Sequence, residues 1–143
     1  MIHPAEPTLE INGIPPKLAG KICEGLICEQ FICSGESVAS ANVTYLRFDG
    51  IWYRLYFEFQ LVFWRVFDGE PKPWEVAEKT WAYPHTNVGE MFGILGQRLL
   101  SYEMLLTPKG SKVIFIFANN QSVLIEDADD CSSFRVDDSE VVR

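Results

Sequence analysis

The chain has 143 residues, with 20 acidic side chains against 12 Lys and Arg and a formal net charge of −8. A hydrophobic content of 48% and an aromatic content of 13% describe a folded domain that needs neither metal nor disulfide to build a core. The acidity gives no electrostatic reason to bind nucleic-acid phosphates or an anionic membrane surface, and no run approaches the roughly 20 apolar residues of a spanning helix.

Residues 1–16 read as an irregular N-terminal arm, with prolines at Pro4, Pro7, Pro15 and Pro16. Met1–Pro7 lacks a basic region followed by an apolar run, so no secretory leader is expected and the expected location is the cytoplasm. Residues 18–33 suit either a helix or a strand. Leu18, Ile22 and Leu26 fall on one helical face, whereas Gly20, Gly25 and the β-prone Ile27, Phe31 and Ile32 favour a strand. Cys23, Cys28 and Cys33 recur every five residues, without the tight pairs of a structural zinc site. They read as free thiols, successive ones on opposite faces if the segment is a strand. Residues 34–42 are small and polar and read as a loop.

Val43–Phe48, Asp49-Gly50 and Ile51–Phe57 make a β-hairpin with a two-residue turn. That turn sets Phe48 against Ile51, Arg47 against Trp52, Leu46 against Tyr53 and Tyr45 against Arg54. Thr44, Leu46, Phe48, Ile51, Tyr53, Leu55 and Phe57 then face the core. Val43, Tyr45, Arg47, Trp52, Arg54 and Tyr56 share the other face. Leu61–Phe67 is a third strand, reached through a tight connection or a bulge at residues 58–60. Asn87 and Glu90 have the spacing of a capping box, predicting a short helix near residues 87–96 that Gly93 and Gly96 curtail. A strand is predicted near residues 99–106, and a second hairpin at 113–118 and 121–126 around Asn119-Asn120. The chain from residue 127 to 143 reads as an acidic tail.

Two stretches echo one another. Leu18-Ala19-Gly20-Lys21-Ile22 precedes the first hairpin, and Leu95-Gly96-Gln97-Arg98-Leu99 precedes the second. The fold expected is a single α+β domain, predominantly antiparallel β, built from two similar strand-plus-hairpin units with one short helix.

Tyr45, Arg47, Trp52 and Arg54 form the first candidate binding face, with a cation–π contact expected between Arg47 and Trp52 worth about 0.5–1 kcal/mol. The alternative is a second packed face lying beneath residues 74–83. Asp129, Asp130, Asp137 and Asp138, with Glu126, Asp127 and Glu140, supply an acidic surface suited to a basic partner but lack the spacing of a calcium loop. Trp64, Trp74, Trp81 and Tyr83 are candidates for an aromatic ligand pocket. His85 is the only internal histidine, and no nucleophile elbow or phosphate loop accompanies it. No metal and no cofactor are expected.

In size and acidity the chain resembles the small immunity proteins that neutralise toxins in bacterial competition. That resemblance, one of composition alone, implies a non-enzymatic protein that binds a basic protein partner. A small-ligand binder or enzyme with an aromatic pocket, and a homodimer joined through sheet edges, are the other readings.

Overall fold

The structure, a computed structural model, describes residues 8–138. Its first long strands are β2 (Cys23–Cys33), β3 (Glu36–Phe48), β4 (Ile51–Glu58) and β5 (Leu61–Phe67), after a two-residue β1 (Ile11–Asn12) that pairs in parallel with β5. They form an antiparallel meander in the order β5-β4-β3-β2. A second meander, β12-β11-β10-β9, is built from β9 (Leu99–Thr107), β10 (Gly110–Phe117), β11 (Gln121–Ala128) and β12 (Cys131–Asp138). Between them lie β6 (Trp74–Val76), a 3-10 turn at Ala77–Lys79, β7 (Trp81–Tyr83), β8 (His85–Thr86) and α1 (Val88–Met91).

Local sequence explains the hairpins. Ser34 and Gly35 both take positive φ, as do Asp49 and Gly50. Two-residue type I′ turns require this, and it is cheapest for glycine and small polar residues. The pairing after Asp49-Gly50 is the expected one, from Phe48 against Ile51 to Tyr45 against Arg54. Asn87 caps α1, accepting from the Glu90 amide at 3.1 Å and donating its own amide to the Glu90 carboxylate at 3.2 Å. The helix stops after Met91, and Gly93 turns the chain at positive φ.

The sheets pack face to face. Leu26, Cys28, Leu46, Phe48, Leu55, Val62 and Trp64 from the first meet Val113, Phe115, Phe117, Val123 and Ile125 from the second. Trp64, only 1% exposed, lies at the centre. It meets the rings of Tyr102 and Phe115 and donates its indole N–H to the Met104 sulfur at 3.3 Å. Such close apolar contact is the main source of stability.

The two echoing segments lie against each other. Gly20 donates to the Leu99 carbonyl and Gly96 to that of Cys23, while Leu99 donates to Lys21 and Cys23 to Gln97. Exchanging residues 20–23 with 96–99 maps each bond onto another of the set, and Ile22 and Arg98 face each other as an antiparallel bridge. Gly20 and Gly96 adopt φ of 86° and 87°, a backbone state that favours glycine. Leu18 and Ile94, two residues before each glycine, are fully buried.

Four expectations need correction. A four-residue helix beside two antiparallel sheets makes this a mostly β protein rather than an α+β one. Residues 36–42 continue β3 instead of forming a loop. Their small side chains let the strand, shifted by irregularities between Glu29 and Ile32, approach β12, where Ser40 accepts from the Phe134 amide at 3.1 Å. Residues 131–138 are not a tail but the edge strand β12, because Phe134 and Val136 have the core to pack against. Cys23 and Cys28 both point into the core, because the register slips between Cys23 and Gly25 and cancels the alternation. Residues 1–7 of the expected arm and 139–143 of the expected tail lie outside the described residues.

Burial pushes the Cys23 thiol up to about 11 and the Cys28 thiol to about 12. Native protein treated with a thiol-specific reagent at pH 8 is expected to react fast at exposed Cys131, with Cys23 and Cys28 silent until denaturant is added. Rapid labelling of Cys28 would contradict this packing.

Asp127 is 2% exposed on β11, and its raised pKa has burial as its largest cause, opposed by a 3.2 Å bond from the Ser132 hydroxyl. Below 3.8, the ordinary value of an aspartate side chain, both folded and unfolded chains hold this proton. As pH rises above it the unfolded chain ionises first, so stability falls until the raised folded-state pKa is passed. Asp127→Asn is therefore expected to raise Tm at pH 7 and to leave it unchanged below the unfolded-state pKa. Calorimetry across that range checks the sign.

Candidate functional site

The outer face of the larger sheet, turned away from the core, holds a groove of about 470 Å³. β7 pairs with the end of β2 and with β6, and β8 pairs with Cys28 and Glu29. This brings Trp74 and Tyr83 beside Glu29, Asn42, Tyr45, Arg54, Tyr56 and Glu58.

Glu29 is the unusual member. It follows the core residue Cys28 on β2, and its residue exposure is 3%. A carboxylate so buried requires donors. Its Oε1 accepts from the Trp74 indole N–H at 3.2 Å and lies 3.2 Å from His85 Nε2. An ionised carboxylate only accepts, so Nε2 carries the hydrogen in this arrangement. Trp74 is fixed in turn by stacking on Tyr83 at 4.0 Å, and Tyr83 stacks on Phe31 at 5.2 Å.

Tyr45 stands next to this group, with ring contacts to Phe67 at 5.1 Å and His85 at 5.9 Å. Burial, then the negative charge of Glu29, raises its pKa, and the Arg54 guanidinium opposes the shift. Arg54 lies opposite Tyr45 on β4, its guanidinium 5.1 Å from the Tyr56 ring centroid and 5.9 Å from that of Phe67. Its Nε is buried and has no hydrogen-bond partner.

The structure divides the residues singled out from sequence. Tyr45 and Arg54 line the groove with Trp74 and Tyr83. Arg47 and Trp52 share the same sheet face but border a separate depression with Ile51, Val66 and Phe67. Arg47 lies 3.8 Å from Glu24, and the Trp52 ring packs where a side chain on Gly25 would stand. The guanidinium-over-ring contacts of this face come from Arg54 and from Arg65 over Phe63, not from an Arg47–Trp52 pair. Trp81 meets Phe31 edge-on behind the groove, with Lys79 over its ring. Trp64 is in the core on the opposite side of the sheet, so the four expected pocket aromatics do not converge.

The acidic residues are also separated. Asp129 and Asp130 form the β11–β12 turn, and Asp137 and Asp138 end β12. At about 3.3 Å per residue, Asp130 and Asp137 stand roughly 23 Å apart. Lys109 approaches Asp129 at 3.7 Å, and Arg135 pairs with Asp137 at 2.9 Å. Asp130 instead borders a shallow depression with Phe57, Glu58 and Phe59. Phe59 is 86% exposed, and both Phe59 and Gln60 hold positive φ, at 51° and 69°.

Sequence reading missed Glu29, Asn42, Glu58 and Phe59 as site residues. A lone carboxylate within Gly25-Leu26-Ile27-Cys28-Glu29 was the available signal for the first. A Phe-Gln pair where a tight turn was required was the signal for the last.

Among the described residues, no group of three or more His, Cys, Asp or Glu could hold a metal ion, and no helix is long and apolar enough to cross a membrane. Compared with known proteins, the chain matches no family model, no curated protein and no solved structure.

Glu29→Ala leaves the Trp74 and His85 donors without their acceptor. It is expected to lower the unfolding free energy by about 1–3 kcal/mol. Urea denaturation checks this, with an unchanged m-value identifying a stability effect.

Proposed function

We propose that this is a non-enzymatic binding protein that docks a basic protein partner through the Phe59 turn and the carboxylates beside it. The observation that carries this reading is Phe59. A large aromatic side chain is 86% exposed at a φ of +51°, a backbone state that bulky residues rarely adopt. Strain of this kind costs on the order of 1–3 kcal/mol per residue and is concentrated at functional sites. Asn-Gly would form the same turn without that strain. Aromatic side chains are frequent anchors in protein interfaces. Glu58 and Asp130 border the ring, and the net charge of −8 favours association with a cationic surface.

The acidic surface expected from composition narrows to Asp130 and its neighbour Asp129. Asp137 and Asp138 stand too far away to share the contact. We further infer that the two meanders are related units. The matched hydrogen bonds around Gly20 and Gly96, and the four hairpin strands that follow each glycine, support that reading.

The decisive variant is Phe59→Asn with Gln60→Gly. It is expected to raise Tm, because the turn loses its strain, and at the same time to abolish capture of the partner. Affinity capture from the native lysate at low salt, with mass spectrometry, reads the second effect. Asp129→Lys with Asp130→Lys should slow association at low salt, and Asp137→Lys with Asp138→Lys should leave it unchanged. A partner retained equally by the Asn-Gly variant would overturn the proposal, as would the absence of any salt-sensitive basic partner.

A further inference from the structure

We propose that the groove on the outer face is a binding site for a small zwitterion, one that carries an amine and a carboxylate on a planar or apolar body. This is independent of the docking role of Phe59. At about 470 Å³ the groove is in the size range of small-ligand sites, and its two ends present opposite charge.

Glu29 and Glu58 supply the negative end. Oε1 of Glu29 is held by Trp74 and His85, and among the described residues no hydrogen bond reaches Oε2. A buried carboxylate with one oxygen fixed and the other unfilled is prepared for a further donor. An ammonium group supplies that donor and a charge.

Arg54 supplies the positive end. Among the described residues, no carboxylate lies within ion-pair distance of it, and its buried Nε has no partner. A guanidinium held among aromatic rings without an acceptor is incomplete. A ligand carboxylate completes it, with the planar fork suited to two parallel bonds.

The register sets the spacing. Glu29 pairs with Val43 on β3, and Arg54 pairs with Tyr45, two residues further along. Strand and residue spacings then put the Cα atoms of Glu29 and Arg54 about 12 Å apart. Two long side chains reaching inward across that span leave room for a ligand rather than for a direct ion pair. Trp74, Tyr83 and Tyr56 offer ring surface for its body. A lone cation leaves Arg54 unmet, and a lone anion is repelled by two carboxylates, so one molecule bearing both charges fits the groove best.

Titration calorimetry at pH 7 with the twenty protein amino acids tests this, followed by the amide and the N-acetyl derivative of the tightest binder. Wild-type protein is expected to bind at least one amino acid saturably. Removing either ligand charge should weaken binding by about tenfold or more. Arg54→Gln should bind the acid and its amide alike, and Glu29→Gln should bind the free amine and the N-acetyl form alike. If Glu29→Gln fails to fold, the Arg54→Gln comparison decides the matter. No saturable binding by any amino acid overturns the proposal, as does wild-type binding of the amide as tight as that of the acid. Discrimination unchanged in Arg54→Gln also overturns it. Phe59→Asn with Gln60→Gly should leave these titrations unaltered, so failure of the docking role and failure of this site are distinguishable.

Discussion

Four backbone hydrogen bonds between residues 20–23 and residues 96–99 start both sheets, and the rest of the architecture depends on them. Each glycine turns the chain with a φ that other residues adopt only under strain. Each is followed three residues later by a fully buried side chain, Cys23 or Leu99. The junction thus fixes where each meander begins and which of its faces looks inward. Past a register shift just after the junction on each strand, at residues 23–25 and 99–101, the alternation of strand residues sets Trp64 against Phe115 and Tyr102 at the centre.

The same alternation generates the groove. Once Cys28 faces the core, its neighbour Glu29 must face outward, beneath the connection between the meanders. That connection brings the indole N–H of Trp74 and the imidazole of His85 to the carboxylate, which makes its burial tolerable. Polar groups therefore specify how residues 68–86 lie on the sheet, whereas the inter-sheet core is specified mainly by shape. The Phe59 turn differs again: the two-residue hairpin between Glu58 and Leu61 requires its positive φ, but nothing in the fold requires an aromatic side chain there.

Much of the fold was legible because hairpins declare themselves locally. Asp49-Gly50 fixed a register that the structure reproduces pair by pair, and Asn87 with Glu90 marked the start of the helix. The echoing segments are the ones that pair at the junction, but the sequence did not set them against each other, because antiparallel pairing between segments so distant in sequence leaves no local trace. Residues 34–42 misled because small polar side chains usually signal a loop. Residues 34–38 are in fact exposed, and only residues 39–42 are covered, beside β12, a strand whose sequence reads as an acidic tail. The site was less legible still. Which outward residues converge depends on how the connection crosses β2, so Tyr45 and Arg54 could be placed on a shared face but not separated from Arg47 and Trp52. Trp64 misled for the plainer reason that an indole is as well suited to a core as to a pocket.

The junction has a kinetic side. Every turn within a meander joins neighbouring strands, and such local contacts form on the microsecond scale. Arg98 and Gly20, by contrast, meet across a separation of 78 residues. Closing a loop of that length costs about 4 kcal/mol in chain entropy, and this cost is met before the core rewards it. The connection that walls the groove is therefore also a tether. It sets the effective concentration at which one half of the molecule meets the other, and its length governs assembly as much as its aromatic residues shape the outer face.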